Sequence, residues 1–111
     1  KDELSLSEGL SLARQGKLQL IDVRPFEEFQ SGHLAGALSL PLASLSETIT
    51  KLDSETPAAA YCRSPYCFLA RQAQEIFAKH GKTLYVLSDG VQDWKASSPE
   101  LLTISTDSEE S

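Results

Sequence analysis

Residues 60–70 of the chain read Ala60-Tyr61-Cys62-Arg63-Ser64-Pro65-Tyr66-Cys67-Phe68-Leu69-Ala70, and they are the most informative segment for the fold. Its first residues end a short apolar run, its middle is rich in turn-forming residues, and its last residues open an apolar stripe at helical spacing. The stretch therefore predicts a strand, a tight loop and the N-terminus of a helix. Cys62 is expected just beyond the strand, where ligands bind in parallel α/β sheets.

The segments on both sides of this stretch alternate between strand patterns and helix patterns. Strands are predicted over 18–23, 37–40, 58–61 and 83–87. Helices are predicted over 5–15, 25–29, 42–52, 68–80 and 91–96. This alternation is typical of an α/β fold with a mostly parallel sheet. We expect one domain over residues 1–98, followed by an acidic, serine-containing and disordered tail over residues 99–111.

The composition is that of an ordinary globular domain. The chain has 111 residues, of which 41% are hydrophobic, and this is enough for one core. It contains no apolar run long enough to span a bilayer and no signal segment. The net charge of −6 argues against contact of this domain with nucleic acid. Because the chain has no methionine, even at position 1, we expect it to be a piece of a longer protein.

Cys62 and Cys67 are the two cysteines of the chain, too few for the disulfide framework of a secreted protein. We therefore expect a cytoplasmic location, where paired cysteines serve catalysis, redox chemistry or metal binding. A metal site is not expected, because two cysteines and two distant histidines lack the paired spacing of a zinc motif. No cofactor is expected either.

The predicted loop gives Cys62 an environment suited to a nucleophile. The N–H groups at the start of a helix are unpaired, and the helix dipole adds positive potential there. A thiol held against them loses its proton more easily, while Arg63 adds a cation and Ser64 a hydroxyl donor. The alternative is that Cys62 is only a core residue, since free cysteine is among the most buried residue types.

Four motifs in order, spanning residues 18–96, resemble the rhodanese-like domain family. They are Leu20-Ile21-Asp22-Val23-Arg24-Pro25 with Glu27, Glu28 and Phe29; Gly32-His33-Leu34-Ala35-Gly36-Ala37-Leu38-Ser39-Leu40-Pro41; Tyr61-Cys62-Arg63-Ser64; and Tyr85-Val86-Leu87-Ser88-Asp89-Gly90 with Trp94. The resemblance implies a doubly wound domain with about five parallel strands. It also implies a sulfurtransferase, whose cysteine takes sulfur from a small donor, holds it as a persulfide and passes it to a thiol or cyanide-like acceptor.

The resemblance also assigns roles to individual residues. By position, Cys62 would be the nucleophile, and Asp22 with Arg24 would form a structural ion pair near the loop. The loop that binds the sulfur anion would consist of Arg63, Ser64, Pro65, Tyr66, Cys67 and Phe68.

This loop departs from the common family pattern at Pro65 and Cys67. Many active members have glycine where Pro65 stands, and proline removes one N–H donor, which weighs against efficient transfer from thiosulfate. Cys67 has two interpretations. It is either a thiol that resolves a persulfide or sulfenate on Cys62 by forming a disulfide, or a small apolar residue packed inward. A disulfide requires Cα atoms within roughly 7 Å, so the loop geometry decides between them.

The loop variant Cys62-Arg63-Ser64-Pro65-Tyr66-Cys67 is similar to that of rhodanese-like domains fused behind a winged-helix DNA-binding domain in ArsR-type regulators. This resemblance implies a DNA-binding domain attached before residue 1. It also adds a second functional hypothesis, a sensor of reactive sulfur, oxidant or thiophilic metalloid. Cysteine phosphatases and arsenate reductases of the related loop type are excluded, because they need arginine where Phe68 stands.

Overall fold

The computed structural model describes residues 2–64 and 67–104. The strands are β1 (Glu3–Leu4), β2 (Gln19–Asp22), β3 (His33–Leu34), β4 (Leu38–Ser39), β5 (Ala58–Tyr61), β6 (Leu84–Leu87) and β7 (Leu102–Thr103). The helices are α1 (Leu6–Arg14), α2 (Phe26–Ser31), α3 (Leu45–Thr48), α4 (Leu69–Lys79) and α5 (Val91–Ser97), with 3-10 turns at Leu42–Ser44, Ile49–Lys51 and Pro99–Leu101. None of the helices in these ranges is long and apolar enough to cross a membrane.

The sheet has five strands in the order β1-β6-β5-β2-β4, and every neighbouring pair is parallel. The central strand β5 consists of three alanines and a tyrosine, all buried, and pairs with β2 on one side and β6 on the other. This arrangement confirms the predicted α/β fold with five parallel strands.

Two apolar layers, one on each face of the sheet, make up the core. Successive side chains of a strand point to opposite faces, so Leu20 packs into the layer that contains Trp94, whereas Ile21 packs into the layer that contains Phe77. Leucines of α1 complete the first layer, and Ala73 of α4 lies in the second. The sheet is therefore covered on both faces, as a parallel sheet requires.

The start of α1 follows the spacing seen in the sequence. The Ser5 hydroxyl accepts a hydrogen bond from the Glu8 N–H at 3.1 Å, and the Glu8 carboxylate accepts one from the Ser5 N–H at 3.1 Å. This reciprocal pair is a capping box. Gly16, just past the helix, has a φ of 74°, a left-handed conformation that favours glycine. The predicted limits of this helix are confirmed to within one residue.

The end of the chain differs from the prediction of a disordered tail over residues 99–111. Pro99–Leu101 forms a 3-10 turn, and β7 pairs with β3 in an antiparallel ribbon. Leu101 and Leu102 pack against the layer that contains Trp94, and burying them offsets the entropy cost of ordering this segment. The prediction is therefore wrong for residues 99–104, and residues 105–111 lie outside the described residues.

Candidate active site at the cysteine pair

Cys62 directly follows β5, at the C-terminal end of the central strand. Its side chain is buried, with 3% of its surface exposed. The C-terminal ends of β2 and β6 lie beside it, because both strands run parallel to β5. This is the edge of a doubly wound sheet at which ligands bind.

The sulfur atoms of Cys62 and Cys67 are bonded in a disulfide, and their Cα atoms lie 6.2 Å apart. That separation is within the range that a disulfide requires. The Cys67 N–H donates to the Ser64 carbonyl at 3.2 Å, which closes a tight turn between the two cysteines. The loop therefore brings the two sulfurs together, and the interpretation of Cys67 as a mere packing residue does not describe this geometry.

Cys67 directly precedes Phe68, which is the N-cap residue of α4. The sulfur of Cys62, bonded to that of Cys67, thus lies close to the start of an eleven-residue helix. Phe68 has no polar side-chain atom with which to cap the first N–H groups, and 78% of its surface is exposed. Pro65 and Tyr66 lie outside the described residues, so the predictions for these two positions are not tested by the geometry.

Arg63 makes a two-point ion pair with Glu28 of α2. Its Nε and Nη2 atoms donate to the two carboxylate oxygens at 2.8 Å each. The hydrogen bonds from Arg63 hold the pKa of the Glu28 carboxyl below its usual value, and those to Glu28 raise the pKa of Arg63. The sequence analysis expected Arg63 to add a cation beside the thiol, and α2 places the Glu28 carboxylate across from that cation, so its charge is paired.

The loop rests on the N-terminus of α5. The Val91 N–H donates to the Cys62 carbonyl at 3.0 Å, and the Gln92 N–H donates to the Arg63 carbonyl at 2.8 Å. A Cβ atom at Gly90 would lie under 3.0 Å from the backbone of Arg63 and Ser64. Gly90 is thus needed for space, and it lets the helix start approach the loop backbone. Apart from the place of Gly90 in one of the four motifs, nothing in the sequence indicates this role.

Asp22 and Arg24 form a buried ion pair at the end of β2. Arg24 Nε donates to Asp22 Oδ1 at 2.9 Å and Nη2 donates to Oδ2 at 2.7 Å, while Nη2 also donates to the Gly32 carbonyl at 2.6 Å. Asp22 is level with Tyr61 in the sheet, and the Arg24 guanidinium lies 6.0 Å from the Tyr61 ring centre. This pair therefore stabilises the end of β2, next to the end of β5 that precedes Cys62.

Tyr61 is held by a hydrogen bond to its hydroxyl oxygen and by packing against its ring. Its hydroxyl oxygen accepts a hydrogen bond from the Leu34 N–H at 3.0 Å, and its ring meets Trp94 edge-on at 5.3 Å. Burial, and after it the nearby Asp22 carboxylate, raises the pKa of Tyr61, so the phenol stays neutral. The residue before Cys62 is therefore held rigidly.

Two cavities border the cysteine pair. A cleft of about 330 Å³ is lined by Arg63, Ser64, Cys67, Phe68, Leu69 and Gln92. An enclosed space of about 50 Å³ is lined by residues that include Cys62, Cys67, Ala70, Arg71 and Ser88. Cys67 faces both cavities, whereas Cys62 lines only the smaller one. Across residues 2–64 and 67–104, no cluster of three or more His, Cys, Asp and Glu side chains could hold a metal ion.

A groove of about 400 Å³ lies at the opposite end of the sheet, where β2, β5 and β6 begin. It is bordered by Gln19, Asp53, Pro57 and Lys82 and contains no cysteine. Although it is similar in size to the cleft beside Cys67, it lies at the end of a parallel sheet where ligands rarely bind.

Comparison with known proteins gives a consistent picture. The family model of the rhodanese-like domain matches residues 5–97. The chain is 36% identical over 95 residues to the HTH-type transcriptional regulator Rv0324 of Mycobacterium tuberculosis, covering 86% of this chain but only 42% of that protein. It is 32% identical over 99 residues to the thiosulfate sulfurtransferase GlpE of Coxiella burnetii, covering 87% and 90% of the two chains.

Solved structures that superpose on this chain include a rhodanese, in agreement with the family found by sequence comparison. The BH2092 protein from Bacillus halodurans superposes with a TM-score of 0.81 at 27% identity, covering 92% of this chain and 76% of that one. A rhodanese with anions from E. coli superposes with a TM-score of 0.58 at 32% identity, covering 68% and 89% of the two chains.

Proposed function

This chain belongs to the rhodanese-like domain family, and we propose that it is a sulfurtransferase in which Cys62 carries sulfur as a persulfide. The observation that carries the proposal is the position of Cys62, buried at the end of β5 with its sulfur close to the start of α4. The N–H groups and dipole of a helix start favour a thiolate, and equally the terminal anion of a persulfide. The similarity to the Coxiella sulfurtransferase, over nearly the whole length of both chains, supports the same chemistry.

The proposed cycle has a preparatory step and two transfers. External thiols first reduce the Cys62–Cys67 disulfide and become oxidised to a disulfide themselves. The Cys62 thiolate then attacks the outer sulfur of a donor, forming a new S–S bond while the donor's bond to that sulfur breaks and its remainder leaves as an anion. An acceptor thiolate or cyanide finally attacks the outer sulfur of the persulfide and regenerates the Cys62 thiolate. A reducing cytoplasm, where we place the chain, supports the preparatory step, because disulfides there are transient.

Small persulfides and polysulfides are the proposed donors, ahead of thiosulfate. The Arg63 guanidinium is already paired with Glu28, which lowers the positive potential that a dianion would need. The proline at position 65 removes a further N–H donor from the loop. Both features lower the affinity of the loop for a doubly charged donor.

Intact-mass measurement of the reduced chain tests this proposal. The variant Cys67→Ser, which cannot form the disulfide, is treated without oxygen with a small-molecule persulfide or with thiosulfate. We expect it to gain one sulfur atom from the persulfide, and much less from thiosulfate. Cys62→Ser is the matched control and is expected to gain none. If Cys67→Ser stayed unmodified by both donors, sulfur carriage by Cys62 would be ruled out.

A second candidate function is a regulatory module that reads reactive sulfur, oxidant or a thiophilic metalloid. The Cys62–Cys67 disulfide favours it, because such a pair has two stable states. The mycobacterial relative is named as a transcriptional regulator, and this chain spans 42% of its length. We propose that a preceding DNA-binding domain would receive the signal, while this domain contacts neither nucleic acid nor membrane.

Hydrogen exchange of the reduced and disulfide forms tests the regulatory candidate. A sensor must change outside the loop, and α5 is the element bonded to the Cys62 and Arg63 carbonyls. We therefore expect lower amide protection in α5 in one of the two states. Identical protection everywhere outside residues 62–68 would contradict a regulatory role.

A further inference from the structure

We propose that Cys67 acts on the Cys62 persulfide from within the chain, forming the Cys62–Cys67 disulfide and releasing hydrogen sulfide. The chain would then be a persulfide reductase as well as a sulfur carrier. This inference rests on the proposed persulfide at Cys62, and it assigns a distinct reaction to the second cysteine.

The geometry of the pair identifies which sulfur is attacked. A persulfide on Cys62 has an inner sulfur, the original Sγ, and an outer sulfur. Attack on the outer sulfur would move it to Cys67, whereas attack on the inner sulfur produces a direct bond between the two Sγ atoms and expels the outer sulfur. The direct bond is the one that this loop accommodates, with the Cα atoms 6.2 Å apart and the turn closed by the Cys67 N–H to Ser64 carbonyl hydrogen bond.

The reaction balances without an external oxidant. The Cys67 thiolate attacks Cys62 Sγ of the protonated persulfide, the new S–S bond forms as the bond to the outer sulfur breaks, and that sulfur keeps its proton and leaves as hydrosulfide. The outer sulfur is thereby reduced to sulfide, and the two cysteine sulfurs are oxidised to the disulfide. Two external thiols then restore both cysteines and become a disulfide themselves. Each cycle converts one persulfide and two thiols into one thiol, one sulfide and one disulfide.

Burial favours the internal thiol over an external acceptor. Cys62 is 3% exposed, and it does not line the cleft of about 330 Å³ through which an external thiol would approach. Cys67 is five residues away in the same short loop and already within bonding reach. A reacting group held in the correct geometry behaves as if present at a very high concentration, with effective molarities on the order of 10⁵ M in favourable cases. Resolution by Cys67 therefore competes strongly with transfer to another molecule.

The two cavities separate the leaving group from the reductant. The enclosed space of about 50 Å³, lined by both cysteines, is large enough for one small molecule such as hydrosulfide. Arg71 also lines it and supplies positive charge near the departing anion, although its guanidinium is 3.5 Å from a Glu3 carboxylate oxygen. The open cleft exposes Cys67 alone, so the resetting thiol attacks Cys67 and frees the Cys62 thiolate.

The test measures sulfide and protein mass together. The reduced chain, freed of reductant and kept without oxygen, is mixed with one equivalent of a small-molecule persulfide. For the unaltered sequence we expect stoichiometric sulfide and a protein mass lower by two hydrogens. For Cys67→Ser we expect a protein heavier by one sulfur atom and at least tenfold less sulfide. Cys67→Ala is run in parallel, so that a folding defect in one variant does not decide the result, and Cys62→Ser is expected to give neither product.

The contrary outcomes are distinguishable. If the unaltered chain kept its extra sulfur with Cys67 still a free thiol, the reductase inference would be overturned and sulfur carriage would stand. Equal sulfide release by Cys67→Ser, Cys67→Ala and the unaltered chain would also overturn it, because the sulfide would then come from another route. Failure of both Cys67 variants to gain sulfur would overturn the carrier function, and the reductase inference with it.

Discussion

Two arginine–carboxylate pairs lie on either side of Cys62, and they differ in their surroundings. The Asp22–Arg24 pair is buried, with side chains 0% and 4% exposed, whereas the Glu28–Arg63 pair is 34% and 43% exposed. In both pairs the guanidinium Nε and Nη2 atoms donate to the two carboxylate oxygens at 2.7 to 2.9 Å, and in the buried pair Arg24 makes two further hydrogen bonds to Asp22, from Nε at 3.2 Å and from its backbone N–H at 3.0 Å. Because the bidentate contact is common to both pairs, the main difference between them is their environment.

The positions of the two pairs determine how firmly the segments before and after Cys62 are held. Asp22 belongs to β2, level with Tyr61, so the buried pair fixes the strand end before the cysteine. Arg63 follows the cysteine, and its pair ties the loop to α2 through solvent-accessible atoms. Cys62 thus lies between a rigid strand and a loop that is held less firmly. In the cycle proposed above, Cys62 is reduced, loaded with sulfur and reoxidised, and a firmly held strand followed by a less firmly held loop is compatible with those changes.

Breaking the buried pair is expected to give the largest effect. Asp22→Asn leaves the Arg24 guanidinium buried beside a neutral amide, which typically costs about 3–5 kcal/mol. Urea unfolding measures the loss. Asp53→Asn is the control, since Asp53 also accepts hydrogen bonds, from Thr56 and the Glu55 N–H, but is exposed. Equal losses in the two variants would contradict the assignment of the Asp22 effect to burial.

A double variant separates the cost of losing the ion pair from the cost of leaving the Arg24 charge buried without a partner. Asp22→Asn combined with Arg24→Met removes the unpaired guanidinium, and part of the stability is expected to return. Full recovery is not expected, because the Gly32 carbonyl also loses the hydrogen bond from Arg24.

An intermediate effect is expected where α5 supports the loop. In Gly90→Ala the new methyl group would press on the backbone of Arg63 and Ser64, and such overpacking costs about 1–3 kcal/mol. Sulfur uptake by Cys62, followed by intact mass, should fall at least tenfold because the loop must shift.

Gly9→Ala is the matched control for this variant. Its methyl group would meet only the end of the flexible Leu87 side chain, at 2.7 Å, and alanine is favoured over glycine inside a helix by about 0.5–1 kcal/mol. Sulfur uptake should be unchanged. If Gly9→Ala and Gly90→Ala lowered uptake equally, close backbone contact at Gly90 would not be what positions the loop.

Breaking the half-exposed pair is expected to give the smallest effect. Glu28→Gln should lower the free energy of unfolding at neutral pH by less than about 1 kcal/mol, because solvent screens the pair. Glu27→Gln, on the same helix and exposed, is the control for a change of charge alone. A loss as large as that of Asp22→Asn would show that the two pairs are equivalent.

The pH dependence of stability sharpens the same test. The pKa of Glu28 is lowered from 4.5 by its hydrogen bonds to Arg63, so its contribution is present above pH 4.5 and is lost as the pH falls through the lowered value. Denaturant unfolding over this acidic range should show a shallower decline in Glu28→Gln than in the unaltered chain. Identical profiles would mean that the pair contributes no stability.

Elements with a strong local pattern could be predicted from the sequence. The capping box at Ser5 and Glu8, the alanine-rich β5 and the apolar stripe of α4 each specify their structure within a few residues. The position of Cys62 followed from the same local order of strand, loop and helix. These features depend on periodicity and capping, which a single sequence displays directly.

Features that depend on distant residues could not be predicted. Glu28 and Arg63 are 35 residues apart, and nothing near either position indicates the pairing. The strands β3 and β7 have two residues each, too few for a periodic pattern, and they exist because they pair with one another. The bond between Cys62 and Cys67 likewise depended on the loop geometry, since spacing alone allowed both interpretations.

Trp94 is the single tryptophan of the chain and lies one helical turn into α5, packed edge-on against Tyr61. The first N–H of that helix is bonded to the Cys62 carbonyl. The chain therefore carries a native fluorophore beside the loop of the cysteine pair, and the emission of Trp94 is a label-free signal with which reduction of the disulfide, and the sulfur loading of Cys62 proposed above, can be followed in real time.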